Sequence, residues 1–403
     1  MNSKTKNKIR KPSPLLIIAS AAIPLAAVVG ILFLFLSHGT GLELKAPAPV
    51  ENLEFERMVL QDEGFEAHVI NTGPEALTIA QVQVGLLSRA SWEFQVNPGP
   101  TIARLGRAVV QVPYPWTPGE PYEIVLITSN GLIFTHEIAI AVATPKLSLG
   151  MMGRFALLGI YVGVLPVFLG IGWLPFLRSL PEKWYFFLLN LAAGILLFLG
   201  VDTLEEALEH AADVPGPFQG VGLILIGVSL SIGLLYTVSG WFRKRRPEMD
   251  TAGGLVLAYS IAFGIGMHNL GEGLAIGGSY ALGEFAAGTM LVLGFTLHNL
   301  TEGVAVVSPV VQSRFAWWHL IGLGTLAGVP TIGGTLLGAF AFTATWAVLL
   351  LAVGTGAVMQ VVFEITRFQI RGRGAASLVS GLNLAGFSCG LAIMYVTGLL
   401  VII

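Results

Sequence analysis

Gly264-Ile265-Gly266-Met267-His268-Asn269-Leu270-Gly271-Glu272-Gly273-Leu274-Ala275 and Gly294-Phe295-Thr296-Leu297-His298-Asn299-Leu300-Thr301-Glu302-Gly303-Val304-Ala305 lie 30 residues apart, and both contain His-Asn-Leu-x-Glu-Gly. On a helix turning about 100° per residue, a His and a Glu four apart differ by about 40°, and the Asn falls about 60° from that Glu. Each segment therefore presents all three polar groups on one face. The flanking residues are apolar over 253–280 and 285–310, and each run is long enough to cross a bilayer. Glu272 and Glu302 then fall mid-span, where insertion scales charge about 2.5–3.5 kcal/mol for an ionised side chain. Two such carboxylates facing each other also repel. A divalent cation held between the helices removes both problems, and the imidazoles add nitrogen donors. The mixed N and O shell of His268, Asn269, Glu272, His298, Asn299 and Glu302 suits Zn, Fe, Mn, Co or Cd rather than Mg or Ca. The bland alternative is a buried polar network that locks two helices together.

Working outward, 54% of the 403 residues are hydrophobic and only 11% are charged, which argues against a purely cytosolic protein. The net charge of -2 comes from 22 bases and 24 acids with no basic patch beyond short runs, so no nucleic-acid partner is expected. The single cysteine, Cys389, excludes an intramolecular disulfide framework and a Cys-based zinc site within one chain. The fifty glycines fit close packing between membrane helices.

Residues 1–13 form a basic tail carrying Lys4, Lys6, Lys8, Arg10 and Lys11, followed by an uncharged run over 14–36 read as a transmembrane anchor. A signal peptide is the competing reading, but its apolar core is usually shorter. Residues 40–147 are mixed, with 12 acids and 6 bases. Seven short β-rich runs predict an all-β, immunoglobulin-like sandwich that lacks the Cys-Trp-Cys pattern: Leu53–Leu60, Phe65–Asn71, Leu77–Val84, Ser91–Val96, Arg107–Val112, Tyr122–Thr128 and Leu132–Ala143. His68 and His136 read there as strand-face residues. Residues 151–403 read as eight further spans, near 154–177, 184–207, 218–241, 253–280, 285–310, 317–342, 345–366 and 378–401. With the N-terminus cytoplasmic, every base of this region except Arg154 falls inside. The sandwich and the C-terminus are then extracytoplasmic, in a multi-pass plasma-membrane protein. Asp202, Glu205, Glu206, Glu209, His210 and Asp213 gather at the outer end of the second bundle span, as an acidic mouth that concentrates cations or as a solvated helix end.

At the paired motif the chain resembles the ZIP family of divalent-metal transporters, whose bacterial members carry His-Asn-x-Pro-Glu-Gly in the fourth and fifth of eight transmembrane helices. The resemblance covers roughly residues 151–403. It implies an eight-helix bundle with inverted repeats around the two motif helices. It also implies a principal metal site at His268, Glu272, His298 and Glu302, with Asn269, Asn299 and the bridging glutamates forming an adjacent second site. Gly271 and Thr301 replace the family's prolines, so no proline kink is expected in the motif helices. Val329 stands before Pro330, where many members have a Glu, which leaves the second site weak or absent. The family's His-rich cytoplasmic loop is missing. Glu364 resembles an acidic position on the exit route, with pairing to Arg367 as the alternative. His319 reads as part of an aromatic belt.

The expected function is movement of a divalent transition metal, zinc foremost, into the cytoplasm, without enzymatic activity and with no cofactor besides the transported ion. The bilayer and the metal are the expected partners, and a homodimer stays open. An intramembrane zinc enzyme fits less well, because His-Glu-x-x-His is absent. A metal sensor without flux is the third reading.

Overall fold

The computed structural model describes residues 14–38, 50–85, 90–181, 183–245, 254–282 and 284–402. The basic tail, the link from anchor to sandwich, and Arg246 to Asp250 of the loop expected on the cytoplasmic side lie outside the described residues. The chain divides into two units, Met1–Pro49 and Val50–Ile403. In the first, helix α1 (Pro14–His38) runs 25 residues. At about 1.5 Å per residue it exceeds the roughly 30 Å hydrocarbon core.

In the second unit, nine strands build two antiparallel sheets. β1 (Leu53–Gln61), β2 (Gly64–Asn71), β7 (Arg107–Val112) and β5 (Gln95–Asn97) pair in that order. The other sheet runs β4 (Ala90–Trp92), β3 (Leu77–Val84), β8 (Tyr122–Thr128) and β9 (Ile133–Ile138), with the two-residue β6 (Thr101–Ile102) also on β3. Period-2 alternation sets the faces: Ala108, Val110 and Val112 of β7 are buried while their neighbours are not. Inward residues of both sheets, among them Phe65, Val82, Val110 and Leu126, share one core. The expected strand Ser91–Val96 is two strands, since Trp92 pairs with Val82 in one sheet and Val96 with Val110 in the other. The chain changes sheets at Glu93 and Phe94. The last strand stops at Ile138, because the backbone beyond it bonds elsewhere, Ala141 to Glu120 and Thr144 to Leu60.

His68 and His136 do lie on strands. His68 sits opposite Arg57 in the register, and the His136 ring lies 5.1 Å from that of Phe55. Burial lowers both imidazole pKa values from 6.5, and Arg57 lowers that of His68 further. The unfolded chain therefore takes up these protons first, so this share of stability is whole above about pH 6.5 and is lost as pH falls below it. Hydrogen exchange in the sandwich, corrected for intrinsic rate, is expected to quicken on acidification from about pH 7.5 to about pH 5.5, and to do so less in His136→Phe. An unchanged acid response in that variant would refute the assignment.

Among the described residues eight long helices follow: α2 (Leu149–Ser179), α3 (Lys183–Ala211), α4 (Gly220–Arg245), α5 (Leu255–Ala281), α6 (Phe285–Val307), α7 (Trp318–Ala341), α8 (Ala344–Arg373) and α9 (Gly381–Ile402). Seven of them are long and apolar enough to cross a membrane. The eighth, α5, reads in the sequence as a span but is not among the seven, and it carries His268, Asn269 and Glu272 near its middle. Burial compensates: both ends and the centre of α5, from Leu255 to Gly278, are mostly enclosed by protein. Its tightest neighbour is α7, where a Cβ added at Gly273 would fall 2.3 Å from the Thr331 carbonyl oxygen, and one at Gly334 2.2 Å from that of Leu270. Between sandwich and bundle, Arg57 Nη1 donates to the Phe340 carbonyl in the last turn of α7 at 2.6 Å.

Candidate metal centre

Both motif helices run unbroken through the motif, as the missing prolines predicted. The breaks lie in the helices packed against them. In α2, a π turn over Ile160–Val164 precedes Pro166, which has no N–H to offer the Val162 carbonyl four residues back. Asn299 Nδ2 donates to that carbonyl at 3.1 Å. In α7 the helix breaks between Gly328 and Pro330, and Asn269 Nδ2 donates to the Ala327 carbonyl at 3.1 Å. The glycine after each glutamate completes the pattern: a Cβ at Gly273 would strike Thr331 O of α7, and one at Gly303 would lie 2.2 Å from Val167 O of α2. Thus each copy of the motif docks through its Asn and its Gly on a helix that contains a proline, the glycine meeting the residue after that proline in both, although Ala327 lies three residues before Pro330 and Val162 four before Pro166. At these two glycines the geometry shows close helix packing.

That docking turns the remaining polar atoms toward one another. His268, Glu272, His298 and Glu302 are at most 4% exposed. One donor atom from each lies within 4.8 Å of all the others. Glu272 Oε1 is 3.3 Å from His268 Nε2 and 3.8 Å from His298 Nε2, and Glu302 Oε1 is 3.6 Å from His298 Nε2. Zinc bonds of about 2.1 Å in a tetrahedron give donor separations of about 3.4 Å, so these edges fit a metal polyhedron after small contraction. Among the described residues none of the four facing atoms has a hydrogen-bond partner, nor has Asn269 Oδ1 or Asn299 Oδ1. Buried polar atoms are ordinarily paired, so their convergence without partners marks the cluster as a place for a cation. Glu272 is further held by Asn299, which donates to its Oε2 at 3.1 Å. The imidazole rings of His268 and His298 lie near parallel, centroids 5.9 Å apart and planes 21° apart.

The other expected residues divide. Asp202 and Glu206, on α3, lie within electrostatic reach of His268 and Glu272. Glu209 lies within electrostatic reach of those two acids, and the His210 ring lies against Phe342, 5.9 Å away. Val329 is 41% exposed and adds nothing to the buried group. Glu364 is buried in α8, outside the four. His319 sits among Tyr259, Phe315 and Trp318, with Nδ1 2.9 Å from the Tyr259 hydroxyl. Sequence reading missed Thr203, whose hydroxyl is 2.7 Å from His268 Nδ1. It belongs to another helix, 65 residues away, and no spacing rule connects the two.

Fold and site together are compatible with a multi-pass membrane protein whose buried His/Glu group can bind a metal. Comparison with models of known protein families and with curated proteins finds no match to the chain.

Proposed function

We propose that the protein carries a divalent transition metal, zinc foremost, across the membrane by way of His268, Glu272, His298 and Glu302, inward from the extracytoplasmic side. The observation that carries this reading is the convergence of four buried donor atoms without hydrogen-bond partners from two adjacent long helices. Carboxylate oxygens replace part of the hydration shell and imidazoles bias the site toward borderline metals. Asn269 and Asn299, each beside a motif histidine and with a buried Oδ1 that has no hydrogen-bond partner among the described residues, serve as auxiliary oxygen donors. The matching attachment of the two motif copies to α2 and α7 supports the inverted-repeat architecture of the ZIP family, which the paired motif resembles. In that arrangement Asp202 and Glu206 of α3 draw cations toward the cluster. Glu364 then lies on the inward route. The order β1-β2-β7-β5 against β4-β3-β8-β9 supports an immunoglobulin-like sandwich, placed extracytoplasmically by the distribution of bases.

Purified protein in liposomes that enclose a zinc-sensitive dye is expected to admit zinc at a saturable rate. The rate falls as pH is lowered, because neutral imidazole and ionised carboxylate are the binding forms. Bound zinc with no flux would overturn transport and leave a sensor.

A further inference from the structure

Thr203 lies on α3 and reaches across to α5. Its Oγ1 is 2.7 Å from the Leu199 carbonyl oxygen, one helical turn back, and 2.7 Å from His268 Nδ1. A hydroxyl has one hydrogen and two lone pairs, while a carbonyl oxygen only accepts. The hydrogen therefore points to Leu199, and a lone pair of Oγ1 faces His268. A close contact between that lone pair and the ring requires Nδ1 to carry the proton. In a neutral imidazole the other nitrogen, Nε2, is then the acceptor, and Nε2 is the atom 3.3 Å from Glu272 Oε1 in the cluster. Thr203 is 1% exposed, so no water competes for its hydroxyl from bulk solvent. Among the described residues no hydroxyl is bonded to the ring of His298, which lies 6.2 Å from that of Phe295 with the planes at 86°.

We infer that Thr203 is a positioning residue that holds His268 in the Nδ1–H tautomer, so that one of the two imidazoles is always presented to the metal lone-pair first. The inference rests on the reading of the four-residue cluster as a metal site. Without the hydroxyl, the ring is free to move its proton to Nε2 and donate to Glu272, which occupies both ligands at once. A hydrogen-bond partner of this kind on the far nitrogen of a metal-binding histidine typically changes affinity by about 10–100-fold.

Two substitutions separate the hydroxyl from the side-chain volume: Thr203→Val keeps the shape and removes the oxygen, whereas Thr203→Ser keeps the oxygen. In full-length, metal-free protein labelled at histidine and held at a pH where the imidazoles are neutral, the ring-carbon shifts of His268 are assigned by difference from His268→Gln. They are expected to report the Nδ1–H tautomer in the parent and in Thr203→Ser, and a mixture in Thr203→Val. Zinc affinity is expected to fall by about 10–100-fold in Thr203→Val alone. An Nε2–H parent, or a Thr203→Val protein with parental shifts and affinity, would overturn the inference while leaving the metal site standing. A parent protein with the expected tautomer that binds no zinc would overturn the site reading and, with it, the role assigned to Thr203.

Discussion

Replacing both Glu272 and Glu302 by glutamine is expected to abolish zinc binding while leaving the bundle folded. Glutamine matches glutamate in shape, so the packing of α5 on α7 and of α6 on α2 is kept. What changes is charge and donor strength. A four-ligand N and O site at neutral pH derives an apparent free energy of order 10 kcal/mol from metal binding, by analogy with structural zinc sites. Losing two anionic ligands of four removes a large share of that, so affinity drops by at least about 1000-fold. The stability of the metal-free protein moves the other way. The parent buries two carboxylate groups, at 3% and 0% exposure, beside unpaired atoms, and the amide removes that electrostatic burden. Thermal unfolding in detergent tests both halves. Zinc at 100 times its Kd stabilises the parent by about 2.7 kcal/mol and does nothing for the variant, whose metal-free midpoint is at or above that of the parent. A variant stabilised by zinc as strongly as the parent would remove the carboxylates from the site.

The part of this site that was legible in the sequence is the part carried by single helices. His and Glu four apart, with Asn between them, project from one helix face whatever surrounds that helix, and two copies at equal depth imply a meeting. The apolar runs were legible for the same reason, since their length answers to the bilayer rather than to neighbours. What escaped depends on a second chain segment. Nothing in residues 160–166 says that the carbonyl released by Pro166 is taken by Asn299, 137 residues on in the bonded pair with Val162. Thr203 looked like one polar residue in an acidic helix end until α3 was set against α5. In the sandwich, Ser91–Val96 alternates well enough for one strand, but pairing partners decided that Trp92 and Val96 belong to different sheets. The resemblance placed the motif glycines in a transport domain without saying what they touch.

Gly334, which meets the first motif helix at Gly273, carries the second large expectation. Gly334→Ala on α7 is expected to destabilise the bundle by several kcal/mol and to weaken metal binding with it, whereas Gly233→Ala on α4 is harmless. The added methyl at 334 would lie 2.2 Å from Leu270 O, 2.8 Å from Leu274 N and 2.9 Å from Gly273 Cα. All three are backbone atoms of a helix, so no rotamer change relieves the overlap and the two axes must part. Overpacking of this kind ordinarily costs about 1–3 kcal/mol even where side chains can yield. Parting the helices also stretches the 3.1 Å contact from Asn269 to Ala327, and so moves the polar face that His268 and Glu272 share. At Gly233 nothing lies within 4 Å of the added carbon. There alanine gains about 0.5–1 kcal/mol of helix preference over glycine. Unfolding midpoints and zinc titrations of the two variants, measured side by side, distinguish close helix approach from mere abundance of glycine. Equal midpoints would show that α5 and α7 do not need their bare backbones to meet. The weight would then shift to links that need no bare backbone at 334, first among them the asparagine contacts with Val162 and Ala327 that tie each motif helix to its neighbour.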